Sequence, residues 1–142
     1  MKKALIIVDV QNDFCEGGAL AVPGANEIIS YINLLMEENE YDKIVLTQDW
    51  HPANHKSFAS TNGKKVGDTI ILNGIPQFMW PDHCVQGTSG AEFHKDKKKK
   101  KVDHIIQKGK NIDFDSYSGF QDNNHFTKTG LDDYLKYHDI QL

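Results

Sequence analysis

The seven residues at 4–10, Ala-Leu-Ile-Ile-Val-Asp-Val, constrain this chain more than any other segment. Apolar, mostly β-branched side chains occupy both alternating faces until Asp9, and a strand without a polar face has to be covered on both sides. That predicts the interior of a parallel sheet with helices above and below it. From Ala25 the apolar positions Ala25, Ile28, Ile29, Ile32, Leu35 and Met36 follow the period of an amphipathic helix, entered through Pro23-Gly24. Residues 43–48 (KIVLTQ) read as a second strand, which makes the opening of the chain a βαβ unit with a right-handed crossover. Residues 102–108 (VDHIIQK) supply a third strand. Leu131, Tyr134, Leu135 and His138 mark a further helix after a Thr129 cap, and 139–142 read as the start of another strand. The expected fold class is α/β, a doubly wound parallel sheet in a Rossmann-like three-layer arrangement.

A chain of 142 residues has room for a single core. Its longest apolar run, at 4–8, is shorter than the ~18 residues of a membrane span and the ~7 to 15 of a secretory signal, so a cytoplasmic protein with no membrane partner is expected. In that compartment Cys15 and Cys84 stay free thiols. The balance of 16 Lys+Arg against 20 Asp+Glu, net −4, argues against a dedicated nucleic-acid surface. The basic run at 97–101 reads as solvated. Residues 49–101 form a long connection rich in Gly, Asn, His and Pro, and connections of this length usually carry function or are disordered.

Each expected strand delivers a charged residue at or near its carboxyl end: Asp9, Asp49 and Lys108. In open α/β sheets this is the edge that binds ligands. Asp49 and His51 stand two apart in extended backbone and therefore project to the same side. His83 can complete a His₂/carboxylate metal set with open positions, and His55 is a further candidate donor. Loop histidines held by local hydrogen bonds are the competing explanation. Cys84 directly follows His83, and in an extended chain neighbours point to opposite sides.

The blocks Leu5-Ile6-Ile7-Val8-Asp9-Val10-Gln11-Asn12-Asp13-Phe14, Gly17-Gly18-Ala19-Leu20, Gln48-Asp49-Trp50-His51-Pro52, Trp80-Pro81-Asp82-His83-Cys84-Val85, Lys108-Gly109 and Asp115-Ser116-Tyr117-Ser118-Gly119-Phe120 occur in this order. In them the chain resembles the bacterial nicotinamidase/pyrazinamidase branch of the isochorismatase-like cysteine hydrolases. The resemblance implies hydrolysis of nicotinamide or a similar small amide in pyridine nucleotide salvage, through a thioester on a cysteine. It implies Asp9 as general base and Lys108 as the cation that steadies it. Asp49, His51 and His83 would hold a divalent ion, with Zn²⁺ first among candidates, and Phe14, Trp50 and Tyr117 would wall the substrate ring. One departure stands out. The family's nucleophile sits after the next strand, in a Gly-x-x-Thr-x-x-Cys-like turn, and no such turn occurs in residues 1–142. Cys15 and Cys84 match non-catalytic family positions. The expectation is therefore one isochorismatase-like domain over 1–142, holding its N-terminal part only, incomplete at the C-terminus and inactive alone. The alternative is a non-catalytic metal- or ligand-binding protein, or a subunit completed by another chain. With a 3-2-1-4-5-6 strand order, residues 4–10 become an open edge that favours homo-oligomers.

Overall fold

The computed structural model describes residues 1–141. Along the chain lie β1 (Ala4–Val8), α1 (Ile29–Glu37), β2 (Lys43–Asp49), β3 (Thr69–Leu72), β4 (Ile75–Phe78), β5 (His104–Lys108) and α2 (Leu131–Tyr137). The three long-range strands pair in parallel in the order β1-β2-β5, while β3 and β4 form a separate antiparallel hairpin. In the register Ile7 lies beside Leu46, Thr47 beside Ile106, and Asp49 beside Lys108.

The two-residue alternation of the strands builds two cores. Ile7, Ile44 and Leu46 pack against Ile29 and Met36 of α1. The opposite set, Val45 and Ile106 with Ala4 and Ile6, packs against Leu131 and Leu135 of α2. Each aliphatic side chain removed from water in these layers contributes about 1.5–3 kcal/mol, an upper figure because the unfolded chain already hides part of it. Helices on both faces of a parallel sheet give the expected three layers.

Several sequence expectations are corrected. The first strand stops at Val8, not at residue 10, because Asp9 turns into the left-handed region at φ 52. β1 has no strand on its outer edge among the described residues, the open edge expected above, but Val8 is 59% exposed where a covered face was expected. The first turn of the predicted helix is 3₁₀, over Ala25–Ile28, and Ile28 is exposed. The third strand begins at His104, two residues late. Residues 139–141 are not a strand, although Ile140 is buried against α2; Leu142 lies outside the described residues. The hairpin β3–β4 turns on Asn73-Gly74, both at positive φ (50 and 82), and this Asn-Gly pair between apolar runs is its sequence signal. Among the described residues, no helix is long and apolar enough to cross a membrane.

The basic run is solvated except at its first member. Lys97 is 2% exposed, with Nζ donating to the Lys98 carbonyl at 2.6 Å, and burial lowers its pKa to about 8. A lysine that binds its proton less tightly when folded makes stability rise with pH between the folded value and the ordinary value near 10.5. Urea melts at pH 7 and 9.5 are expected to show this rise in the wild type and to lose it in Lys97→Met, which should be at least as stable as the wild type at pH 7.

Candidate active site

Parallel register sets the first feature of the site. Asp49 ends β2 and Lys108 ends β5 directly beside it, while Asp9 follows the end of β1 on the other flank of β2. Lys108 Nζ lies 2.5 Å from Asp49 Oδ1, 2.9 Å from Asp9 Oδ2 and 2.9 Å from the Ser116 carbonyl, so each of its three N–H bonds has an acceptor. Burial disfavours the charged ammonium, but the carboxylates of Asp49 and Asp9 outweigh it and hold the lysine above its usual pKa. Asp9 is pushed the other way. Its burial raises the carboxyl pKa more than Lys108 and the 2.6 Å hydrogen bond donated by Thr47 Oγ1 lower it. Asp9 therefore holds a proton more readily than a surface aspartate does.

The second feature is a set of metal donors. Asp49, His51 and His83 are buried, and one ligand atom from each lies within 4.8 Å of the others. Nδ1 of His51 lies 2.8 Å from the Gly109 carbonyl, and Nδ1 of His83 lies 2.7 Å from the Pro81 carbonyl. Carbonyls only accept, which assigns the proton to Nδ1 in both rings and leaves the lone pairs on Nε2. These face Asp49 Oδ2 at 3.4 and 3.7 Å. His51 Nε2 is buried and has no hydrogen-bond partner. Two nitrogen lone pairs and a carboxylate aimed at one point repel unless a cation sits between them, and an orphaned buried nitrogen marks the place. The donor set fits a divalent ion, with backbone carbonyls fixing both rings as is usual around metal sites. Asp49 stays well below the usual carboxylate range: burial acts against its charge, but hydrogen bonds from His51 and His83, which form when no ion is bound and their Nε2 atoms carry protons, prevail together with the Lys108 ammonium.

His55 is not a further donor. Its Nδ1 lies 2.7 Å from Ser57 Oγ and accepts from the Ser57 N–H at 3.1 Å, and its Nε2 lies 3.1 Å from the Phe114 carbonyl. Both nitrogens are engaged, as in the competing explanation for loop histidines. Gly109 has φ +66, and a Cβ there would sit 2.7 Å from His51 Nδ1. Gly109→Ala is therefore expected to displace the His51 ring and lower Zn²⁺ affinity at least tenfold, measurable by competition with a chromophoric chelator.

Neither cysteine lines the rim cavity, and both thiols are held in the protonated form. Cys84 is fully buried at φ 47, its N–H donates to Asp13 Oδ2 at 2.7 Å, and burial together with the surrounding carboxylates pushes its thiol far above the normal range. Cys15 is buried and its thiol is likewise raised, by burial and then by Glu16. The cavity at the rim, about 190 Å³, is walled by Phe14, Leu20, Trp80 and Tyr117 and floored by Asp9, Asp49, His83 and Lys108, with neither thiol among its lining residues. Trp50 is absent from that lining too. Successive side chains alternate in extended backbone, so Trp50 faces away from Asp49 and His51, and Trp80 and Leu20 are walls that sequence spacing did not single out. Thr47 and Asp115 also belong to the site. Thr47 was hidden inside an apolar strand pattern and Asp115 in a loop.

A parallel sheet between helix layers, with charged side chains and a candidate cation site gathered at its carboxyl edge, defines an α/β domain with a cavity at its rim. The Isochorismatase domain matches residues 3–141, and the chain belongs to that family. It is 46% identical over 140 residues to the nicotinamidase of Escherichia coli, covering 97% of this chain and 66% of that protein. The structure of an Acinetobacter baumanii nicotinamidase/pyrazinamidase superposes with a TM-score of 0.93 at 48% identity, covering 98% of this chain and 67% of that one. A pyrazinamidase of Pyrococcus horikoshii in complex with zinc superposes with a TM-score of 0.74 at 38% identity, covering 99% and 67%. The chain thus spans about two thirds of the length of these relatives.

Proposed function

We propose that residues 1–142 carry the base, the stabilising cation, the metal ligands and the aromatic walls of a nicotinamidase-type amidohydrolase acting in pyridine nucleotide salvage in the cytoplasm. The observation that carries the reading is the continuous contact from Asp9 through Lys108 to Asp49, which joins a proton-holding carboxyl to a cation site at one cavity. The cavity is of a size for one flat heteroaromatic ring with a small side group. Its chemistry suits nicotinamide, whose ring meets Phe14, Trp80 and Tyr117 while the exocyclic amide reaches Asp9 and Lys108. A divalent ion at Asp49, His51 and His83, Zn²⁺ by this reading, would supply a Lewis-acid anchor for the ring nitrogen.

Asp9, with its raised pKa, takes the proton of an attacking thiol and passes it to the departing amine, so that the amide becomes a thioester and ammonia leaves. Water then returns the thiol and releases the acid. Lys108 keeps Asp9 oriented and offsets the negative charge that develops beside it. The nucleophile in this scheme comes from outside the cavity lining, which includes neither thiol, although Cys15 lines a neighbouring hollow with Asp9 and Phe14. That placement favours a second reading for residues 1–142 taken alone, binding without hydrolysis, either as a metal- and ligand-binding protein or as a subunit whose nucleophile another chain supplies. The unpaired edge of β1 is the surface through which such association, or homo-oligomerisation, would run.

Zn²⁺-loaded chain is expected to bind nicotinamide and to release no ammonia above background. Ammonia release that survives Cys15→Ala and Cys84→Ala would overturn the cysteine mechanism, and release lost in one of these variants would make that thiol the nucleophile. Failure to bind nicotinamide would overturn the substrate assignment.

A further inference from the structure

Among the described residues the hairpin β3–β4 pairs with no strand of the parallel sheet, yet it is fastened at its tip to the loop that carries Asp115 and at its base to the cavity wall itself. At its tip, Asn73 donates its side-chain amide to the Asp113 carbonyl and accepts from Asn124 through its own carbonyl at 2.9 Å. At its base stands Gln77, a side chain 2% exposed that is not itself a cavity wall. Its Nε2 reaches Asp115 Oδ2 at 3.1 Å, the Tyr117 hydroxyl at 3.4 Å and the Phe78 carbonyl at 2.9 Å. The same hydroxyl accepts from Trp80 Nε1 at 3.3 Å, and Trp80 in turn packs against Phe78 of β4 with ring centroids 4.3 Å apart and the planes tilted by 46°.

We propose that Gln77 is a positioning residue that sets the width of the ring pocket, by tying Tyr117 and Asp115 to the hairpin and thereby fixing the Trp80–Tyr117 corner. The inference rests on the substrate reading above and deepens it. Trp80 and Tyr117 meet nearly edge to face, at 6.2 Å and 87°, which leaves a corner rather than a flat slot. Aromatic packing alone does not hold a half-exposed tyrosine at that angle, because Tyr117 is 56% exposed and solvent competes for its ring and hydroxyl. The two N–H groups arriving at its oxygen from Gln77 and Trp80 supply the constraint. The Gln77 amide has two hydrogens for three acceptors, so one goes to the Phe78 carbonyl and the other is shared between Asp115 and Tyr117, which ties those two groups together. Gln77 is thus the only link among these hydrogen bonds that joins the tyrosine, the buried Asp115 carboxylate and the hairpin backbone at one atom.

The consequence is selectivity. A wall held at a fixed distance rejects a ring with an added substituent, and releasing the wall removes that rejection while weakening the grip on the smaller ring. With Zn²⁺-loaded chain, binding of nicotinamide and of 5-methylnicotinamide is followed by calorimetry in wild type, Gln77→Leu and Gln77→Glu. Gln77→Glu keeps the shape of the side chain but sets a carboxylate against Asp115, so it serves if the leucine variant does not fold. The nicotinamide-to-methylnicotinamide affinity ratio is expected to fall about tenfold in either variant, the size of one lost hydrogen bond to a positioned group. In a Tyr117→Phe background the further change is expected to be less than twofold, because the link already lacks its acceptor. Parallel weakening of both ligands, or an unchanged ratio, would overturn the proposal and leave Gln77 a purely structural residue. A readout without ligand separates this from the substrate reading: the indole N–H resonance of Trp80 is expected to shift or broaden in Gln77→Leu and Gln77→Glu, and an unmoved resonance overturns the proposal even if wild-type chain binds no nicotinamide. Absence of nicotinamide binding by wild type with a moved resonance would overturn the substrate reading alone.

Discussion

Replacing His51 with alanine is expected to abolish stoichiometric Zn²⁺ uptake. Three donors meet at the site, and the ring lost is the one whose Nε2 is buried without another partner. Removing an outer-shell partner of a metal ligand typically weakens binding about 10- to 100-fold, and deleting one of the three proposed ligands should exceed that. Asp49→Asn is expected to act in the same direction, since it removes the negative charge that both imidazoles face. His55→Ala provides the contrast. Both of its nitrogens are engaged with Ser57 and Phe114, so that variant should lose about 1–3 kcal/mol of stability and still hold one ion per chain. Equilibrium dialysis with metal analysis measures the stoichiometry. One tightly held ion in His51→Ala would disprove the ligand assignment.

Lys108→Met is expected to be the most destabilising single change, costing about 3–5 kcal/mol in urea melts at pH 7. The methionine fills much of the same space, so the loss reports the charges and not a cavity. Asp9 and Asp49 would be left facing each other across a buried gap with no cation between them. The pH dependence gives the sign. In the wild type Asp49 is held below its unfolded pKa, so its stabilisation is full above that value and is lost as pH falls toward the folded one. Without Lys108 the pair binds a proton more tightly when folded than when unfolded, and acidification then stabilises the variant. The gap between the two proteins should narrow steadily below about pH 5. A constant gap from pH 7 to pH 4 would show that Lys108 acts through packing.

What the sequence made legible was whatever depends on local period and on strand ends. Apolar runs placed β1, β2 and β5, and the rule that ligands gather at the carboxyl edge picked out Asp9, Asp49 and Lys108, which the register then brings within hydrogen-bond distance. Asp49 and His51 were found together because an extended chain repeats its direction every second residue. His83 arrives from a separate loop, and only its residue type suggested it. Gln77, Asp115 and Thr47 were invisible for a different reason. Their roles come from partners 38 residues away, in Gln77–Asp115 and Thr47–Asp9 alike, and no periodicity encodes how a loop closes. Trp50 entered with the family resemblance, and Trp80, not Trp50, lines the cavity. Lys97 was read with its charged neighbours, whereas one buried side chain in a basic run is set by tertiary packing that composition does not carry.

The left-handed turn at Asp9 also limits how this position can change over evolutionary time. At φ 52 an ordinary side chain is strained by about 1–2 kcal/mol, whereas asparagine, aspartate and glycine are tolerated. A lineage that gave up proton transfer while keeping the fold would drift to asparagine or glycine here and leave the Thr47 backbone contact in place, as the Asp9 N–H needs no carboxyl to reach it. With Asp9 as the proposed base, the residue at this turn becomes a diagnostic character across relatives: aspartate fits a retained base, asparagine a silenced site on an intact scaffold, and a β-branched residue a backbone that has been rebuilt.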